Sequence, residues 1–297
     1  MTTTSGSDFS NQTLNRWRTR LDDRLKVERD LPWRNTRDPW SILVSEVMLQ
    51  QTQVSRVLVA WPRFLAQFPD PAACAAAGQA SVVRAWEGMG YHRRAVALFR
   101  CAAELCSRFD GEVPASELAL RSLPGIGIYT ARAILAFGFE QDVGVVDTNV
   151  ARILARCVAG QALTARTAQQ LADSLVSPGH GWSHNQAMLD FGALRCKASP
   201  VCDGCPLRRS CRWAQRGFAL PDPATKTAGT ARPQARFEGS NRQIRGKILA
   251  LARATNNVSE PLAALREAYG TERVEQLIQT LVDEGLVKRV NTTVVLA

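Results

Sequence analysis

LPGIGIYTARAIL, residues 123–135, sets two glycines one residue apart behind a proline and runs straight into an alanine-rich apolar segment. Pro124, Gly125 and Gly127 permit a tight turn whose backbone can come close to whatever lies above it. The segment after the turn reads as a helix. The first N–H groups of a helix have no partner within it, so an anion is favoured at that spot. A Gly-x-Gly turn alone is a weak signal and is often a plain loop. The stretch also asks why a bulky aromatic, Tyr129, is set one turn into the helix.

The 297 residues allow two domains, and 45% hydrophobic with 22% charged residues suits a soluble globular chain. The opening MTTTSGSDFSNQ is small and polar, without the basic and apolar regions of a secretion signal, and a disordered tail is expected over residues 1–13. No uninterrupted apolar run reaches bilayer length, so a cytoplasmic location and no membrane partner are expected. The formal net charge of +10 suits a polyanion, nucleic acid first, against the plain alternative of a merely basic surface. In a reducing cytosol the eight cysteines do not read as disulfides.

Residues 13–30 read as an amphipathic helix, with Leu14, Trp17, Leu21 and Leu25 at helical spacing. LPWRNTRDPW then breaks the pattern, and a long helical pattern runs from Trp40 to about Phe68, interrupted at Pro62. Further helical patterns cover roughly 80–88, 93–109 and 115–122. The fold class is mostly α, with residues 14–217 as the main domain. Residues 218–237, with three prolines, read as a linker. Residues 238–297 read as a second unit: helices over 241–254, 259–269 and 271–285, then two short strands around an Asn-Thr-Thr turn, a winged-helix-like order. Arg236, Arg242, Arg245 and Lys247 at its entrance could grip a DNA backbone or form a solvated basic edge.

Two carboxylates and one cysteine group carry possible chemistry. Asp147 in VGVVDTNVARILAR stands where a helix begins, and its plain reading is an N-cap, with Asn149 in the first turn. Glu46 in SEVMLQQTQ lies on a helix among Val44, Val47, Met48 and Leu49, and Gln50, four residues on, faces the same way. Facing a dry cleft, such a carboxyl becomes a proton donor near neutrality; facing water it is ordinary. Cys196, Cys202, Cys205 and Cys211 fall within sixteen residues and point to a metal site. Only Cys202 and Cys205 form the two-residue hook that zinc favours in pairs, so the spacing suits an iron–sulfur cluster in the loop 196–211. Cys74, Cys101, Cys106 and Cys157 are scattered and read as buried small hydrophobes.

With the helix before it, LPGIG matches the second half of a helix-hairpin-helix, an element that grips one DNA strand through its main chain without reading sequence. From Leu31 to Cys211 the chain resembles the MutY-type adenine DNA glycosylases of the endonuclease III superfamily. The resemblance rests on LPW (31–33), SEVMLQQTQV (45–54), WEGMGY (86–91), LPGIGIYTARAI (123–134), VVDTNVARILAR (145–156) and NQAMLDFGA (185–193), in that order. It implies two helical subdomains with DNA between them and the target adenine flipped into a pocket. It implies Glu46 as the acid that protonates adenine N7 and Asp147 as the carboxylate that stabilises charge on the deoxyribose. Relatives that also cut the strand carry a Schiff-base lysine where this chain has Tyr129, so the resemblance implies base removal alone. Gln50, Gln51 and Tyr91 resemble residues at the lesion face, Arg93 and Arg94 would contact the backbone, and the four cysteines would hold a [4Fe–4S] cluster.

Two departures stand out. Five residues separate Cys196 from Cys202 where the family has six, and residues 218–297 are too few for the Nudix-like domain that helps family members recognise 8-oxoguanine. The expected substrate is double-stranded DNA with adenine opposite 8-oxoguanine or guanine, acted on by a monomer. The rivals are a thymine-DNA mismatch glycosylase, which the two glutamines disfavour, and a non-catalytic redox-sensing DNA-binding protein, which the two carboxylates disfavour.

Overall fold

The computed structural model describes residues 9–227, 236–254, 259–290 and 293–297. In chain order the helices are α1 (Asn11–Arg24), α2 (Pro39–Leu49), α3 (Val54–Gln67), α4 (Pro71–Ala76), α5 (Gln79–Ala85) and α6 (Arg93–Arg108). Next come α7 (Glu117–Arg121), α8 (Ile128–Gly138), α9 (Thr148–Ile153), α10 (Ala165–Leu175), α11 (Gly181–Leu194) and the short α12 (Arg212–Gln215). Then α13 (Asn241–Arg253), α14 (Ser259–Tyr269) and α15 (Thr271–Asp283) lead into strands β1 (Val287–Val290) and β2 (Thr293–Leu296). The fold is therefore mostly α, as the periodicity predicts, and no described helix is long and apolar enough to cross a membrane.

Two compact units divide the chain: Met1–Ile42 with Ala115–Arg121 and Ile126–Arg232, and Leu43–Pro114 with Ser122–Gly125 and Pro233–Ala297. In the first, α1 and α10 pack together and α11 lies against α8 and α9. Trp17, Leu21, Ile153, Leu154, Leu175 and Phe191 fill its core. In the second, α6 packs on α4 and α5, and Phe64, Phe68 and Trp86 meet edge to face. The C-terminal residues are not set apart from that unit. Ile244, Ile248, Ile278, Leu281, Val287 and Val294 are buried where α13, α15 and the antiparallel strands meet, Val287 pairing with Leu296.

Several boundaries differ from expectation, each for a local reason. α1 begins at Asn11, inside the expected tail, because the Ser10 hydroxyl accepts the Thr13 N–H. It ends at Arg24 rather than residue 30 because buried Asp190 on α11 takes the N–H groups of Glu28 and Arg29, each at 2.8 Å. N–H groups taken by a side chain are not available to the carbonyls four residues back that would continue the helix. The long pattern from Trp40 breaks at residues 50–53, not at Pro62, which lies inside α3. Gln51 takes a left-handed φ of 56° there, while the carbonyl that Pro62 leaves without a helical donor belongs to exposed Leu58. The expected linker is partly packed, with a 3₁₀ turn at Pro223–Lys226 that buries Ala224 and Thr227, and its Asp222 pairs with Arg156 at 2.6 Å. Residues 1–8 of the tail, 228–235 of the linker and Asn291–Thr292 of the turn lie outside the described residues.

Asp190 explains two motifs at once. Its carboxylate also receives Arg34 Nη1 and Nη2 at 2.8 and 2.7 Å and Arg29 Nε at 2.5 Å, fastening LPWR to MLDFGA. Burial works to raise its pKa, but the bonds from Arg34, Arg29 and Glu28 overturn that and hold the carboxyl well below the usual range. Its contribution is thus whole above the unfolded value near pH 4 and is lost as acid protonates the folded group. Asp190→Asn is expected to destabilise the protein by about 3–5 kcal/mol in urea titrations at pH 7, because two arginines lose their counter-charge. The difference from the parent should shrink when the titration is repeated near pH 3.

Candidate active site and thiol cluster

The hairpin turn joins α7 to α8, with Leu120, Leu123 and Ile126 buried beneath it. Its two glycines have different reasons. Gly125 takes φ +79°, and a Cβ there would lie 2.8 Å from the Ala97 Cβ, so the fold itself requires glycine. Gly127 is extended, caps α8 without a side chain, and a Cβ on it would meet nothing within 4 Å. It is exposed, beside the free N–H groups of the helix start. Tyr129 is the second residue of α8 and half-buried. Behind it, buried Arg132 donates to the Gly144 carbonyl at 2.9 Å and pairs with Glu117 at 2.7 Å and with Asp173, tying the two hairpin helices together.

Asp147 is an N-cap, as its plain reading predicts, and more is attached to it. Its Oδ1 accepts the N–H groups of Asn149 and Val150, each at 2.8 Å, and Oδ2 accepts Asn149 Nδ2 at 2.6 Å. Asn149 Oδ1 in turn accepts Arg152 Nη2 at 2.6 Å, and Arg152 Nε donates to the Cys196 carbonyl at 3.0 Å. A continuous chain of hydrogen bonds therefore runs from Asp147 to the first cysteine of the loop. Burial pushes the Asp147 pKa up, while its N–H partners and Arg152 pull the other way. Gly192 allows this crossing: a Cβ there would stand 2.6 Å from the Asn149 Cβ. Asn185 steadies the approach to Asp147, accepting the Val145 N–H and donating to the Val143 carbonyl, both at 2.8 Å.

Glu46 lies on α2 in the other unit, 4% exposed, between Ser45 and Val47, which are also buried. α2 ends at Leu49, so Gln50 falls in the turn after the helix rather than one turn along its face. Gln51 is exposed, and Tyr91 also takes a left-handed φ, 48°; such backbone costs about 1–2 kcal/mol at residues other than glycine. What holds both turns is Arg94, which sequence reasoning placed on DNA. It donates at 2.8 Å to the Val47 and Met48 carbonyls and to Thr52 Oγ1, and also to the Met89 and Gly90 carbonyls. Burial lowers its pKa to about 10. Its neighbour Arg93 is exposed and lies 3.8 Å from Glu284.

Cys196, Cys202, Cys205 and Cys211 line one hollow, and a fifth thiol, Cys157, lines it too. Cys157 is buried in the core, as read from the sequence, but the chain also brings it to this hollow. Cys157 hydrogen-bonds with Cys196 and Cys211, and chiefly through these bonds their thiols fall to about 7 and about 6. Those bonds, together with burial, push Cys157 itself upward. Burial also raises Cys202 and Cys205. Arg156 closes the rim, donating to Cys196 Sγ at 3.7 Å and to the Lys197 and Ala198 carbonyls. Among the described residues no group of His, Cys, Asp or Glu is arranged to hold a single metal ion. Thiols spread around a hollow fit a body larger than one ion, as a cubane cluster is.

Asp147 and Asn149 are thus brought together, as are the four cysteines, and Gln50 and Tyr91 flank turns held by one arginine. Glu46 and Asp147 belong to different units.

Residues 44–178 match the HhH-GPD superfamily base excision DNA repair proteins. Over 270 residues, 89% of each chain, the sequence is 40% identical to an adenine DNA glycosylase of Mycolicibacterium smegmatis. The structure of a thermostable thymine-DNA glycosylase superposes with a TM-score of 0.63 at 24% identity, covering 69% of this chain and 98% of that one, a likeness of fold. A trapped endonuclease III–DNA covalent intermediate gives 0.57 at 25% identity, covering 71% and 100%.

The two glycines provide a test of the turn. Gly125→Ala is expected to cost about 1–3 kcal/mol in thermal unfolding, and Gly127→Ala to stay within about 0.5 kcal/mol of the parent. Equal losses would mean that the fold requires both.

Proposed function

The chain belongs to the MutY-type adenine DNA glycosylases, DNA N-glycosylases of base excision repair, and we propose that it releases adenine paired with 8-oxoguanine or with guanine. The observation that carries this reading is the difference in partners between two desolvated carboxyls. Glu46 is buried on α2, where loss of water disfavours a charged carboxyl; burial raises the Asp147 pKa as well, but three N–H donors and Arg152 oppose it and favour the carboxylate.

Glu46 gives its proton to N7 of the flipped adenine. The bond between the base nitrogen and the sugar carbon then breaks, and its electron pair leaves with the adenine. Positive charge develops on the deoxyribose, and the Asp147 carboxylate stabilises it. A water adds to the sugar carbon and gives up a proton, leaving an abasic site. Asn149 and Arg152 keep the Asp147 carboxylate in place throughout. Tyr129 has no amine for a Schiff base, so the strand stays whole. The exposed Gly127 and the N–H groups at the start of α8 receive a phosphate of the DNA backbone. Cys196, Cys202, Cys205 and Cys211 would hold a [4Fe–4S] cluster, which supplies a rigid anchor for the loop 196–211 rather than a reaction step.

Single-turnover assays on duplexes with A opposite 8-oxoguanine, A opposite G and T opposite G, read with and without hot alkali, test this. Adenine release with breaks only after alkali is expected. Thymine release, or breaks without alkali, would contradict the assignment. Glu46→Gln should lower the rate by about 10²–10⁴-fold, and Asp147→Asn by at least about 10²-fold. Purified protein should contain iron and sulfide in equal amounts, and Cys205→Ala should lose both.

A further inference from the structure

The C-terminal residues do more than share a unit with α6. They hold the one aromatic assigned to the lesion face. Arg242, in the first turn of α13, donates from Nη1 to the Tyr91 hydroxyl at 2.9 Å, and its guanidinium lies 5.9 Å from the centre of the Tyr91 ring. It also lies 5.1 Å from the centre of the ring of Phe237, which is 53% exposed. Arg94 sits 5.6 Å from the same tyrosine ring. Tyr91 also adopts a left-handed backbone that few aromatics tolerate, so its orientation depends on such outside support. Around it the docking continues: Arg253 meets His92 Nε2 at 2.5 Å and Glu87 at 3.5 Å, and Gln79 donates to the Gly285 carbonyl.

This separates the basic residues expected to grip DNA. Arg245 is paired with Glu284, and Lys247 donates to the Tyr269 hydroxyl at 2.7 Å. Arg236 lies 3.1 Å from Glu238. Among the described residues, Arg242 is the one of the four that bonds to a side chain assigned to the lesion face.

We propose that Arg242 is a positioning residue for Tyr91, through which the C-terminal residues help set which base opposite adenine is accepted. The proposal rests on the reading that Tyr91 stands at the lesion face. Arg242 acts through the tyrosine hydroxyl, and Phe237 limits where the guanidinium can move. Discrimination between 8-oxoguanine and guanine therefore depends on a contact more than a hundred residues apart in sequence.

The test is single-turnover adenine release from A opposite 8-oxoguanine and A opposite G, on the full chain. The proteins are the parent, Arg242→Ala, Arg242→Lys, Tyr91→Phe and the double variant Arg242→Ala/Tyr91→Phe, with thermal unfolding alongside. Loss of one hydrogen bond is expected to lower the ratio of the two rates by about three- to tenfold in Arg242→Ala. Tyr91→Phe, which removes the same bond from the other side, should give the same drop, the double variant should add nothing, and Arg242→Lys should recover part of the ratio. Equal loss on both substrates, or additive effects, would overturn the proposal. If Arg242→Ala fails to fold, the Tyr91→Phe and Arg242→Lys ratios decide in the same way. A parent that releases no adenine would overturn the underlying reading, and a parent that treats both substrates alike would overturn the role of Arg242 while leaving adenine release intact.

Discussion

The start of α9 carries a constraint on which much of the first unit depends. Asp147 Oδ1 satisfies two free N–H groups of that helix, and Oδ2 accepts the side-chain amide of Asn149. Asn149 reaches Oδ2 where α9 crosses α11 at Gly192, a position without a side chain. Arg152 then bridges the crossing, donating to Asn149, to the Gly192 carbonyl and to the Cys196 carbonyl. Capping and candidate chemistry are therefore not competing explanations for this aspartate. The cap fixes the carboxylate to which the proposed reaction gives the charge on the sugar.

Arginine has a larger internal role than a net charge of +10 suggests. Arg132, Arg152 and Arg156 sit in the motifs that carry the resemblance, Arg34 and Arg94 lie just after two of them, and each is tied to main-chain carbonyls within its own unit. A planar fork with several donors can hold two or three segments of irregular backbone at once, which a lysine cannot. That explains how a fold with long non-helical stretches, such as residues 25–31 and 139–147, keeps them in one conformation. The basic excess still suits DNA, but it overstates the number of cations facing it.

Helical periodicity made most of the helices legible, and cysteine spacing made the thiol group legible, because both signals are local. The breaks were not. Nothing in Gln51 or Tyr91 announces a left-handed backbone, since neither is a glycine, and the turns of both are held by Arg94, through Thr52, 42 residues away, and Gly90, four residues away. α1 stops because of an aspartate 162 residues beyond Glu28, and Cys157 joins the thiol hollow only through the path of the chain after α9. The C-terminal unit looked separable because its boundary is rich in proline, yet Arg242 and Arg253 dock it on residues 87–92. Motif order carried the assignment to a family where spacing alone could not, because Glu46 and Asp147 are a hundred residues apart.

The central claim is that one carboxyl acts as an acid while the other acts as a carboxylate. A pH profile of the single-turnover rate of adenine release tests it most directly. The account predicts a bell, falling at high pH as Glu46 loses its proton and at low pH as Asp147 gains one. A rate that rises steadily with pH, or one indifferent to it, would contradict the division of roles between the two residues.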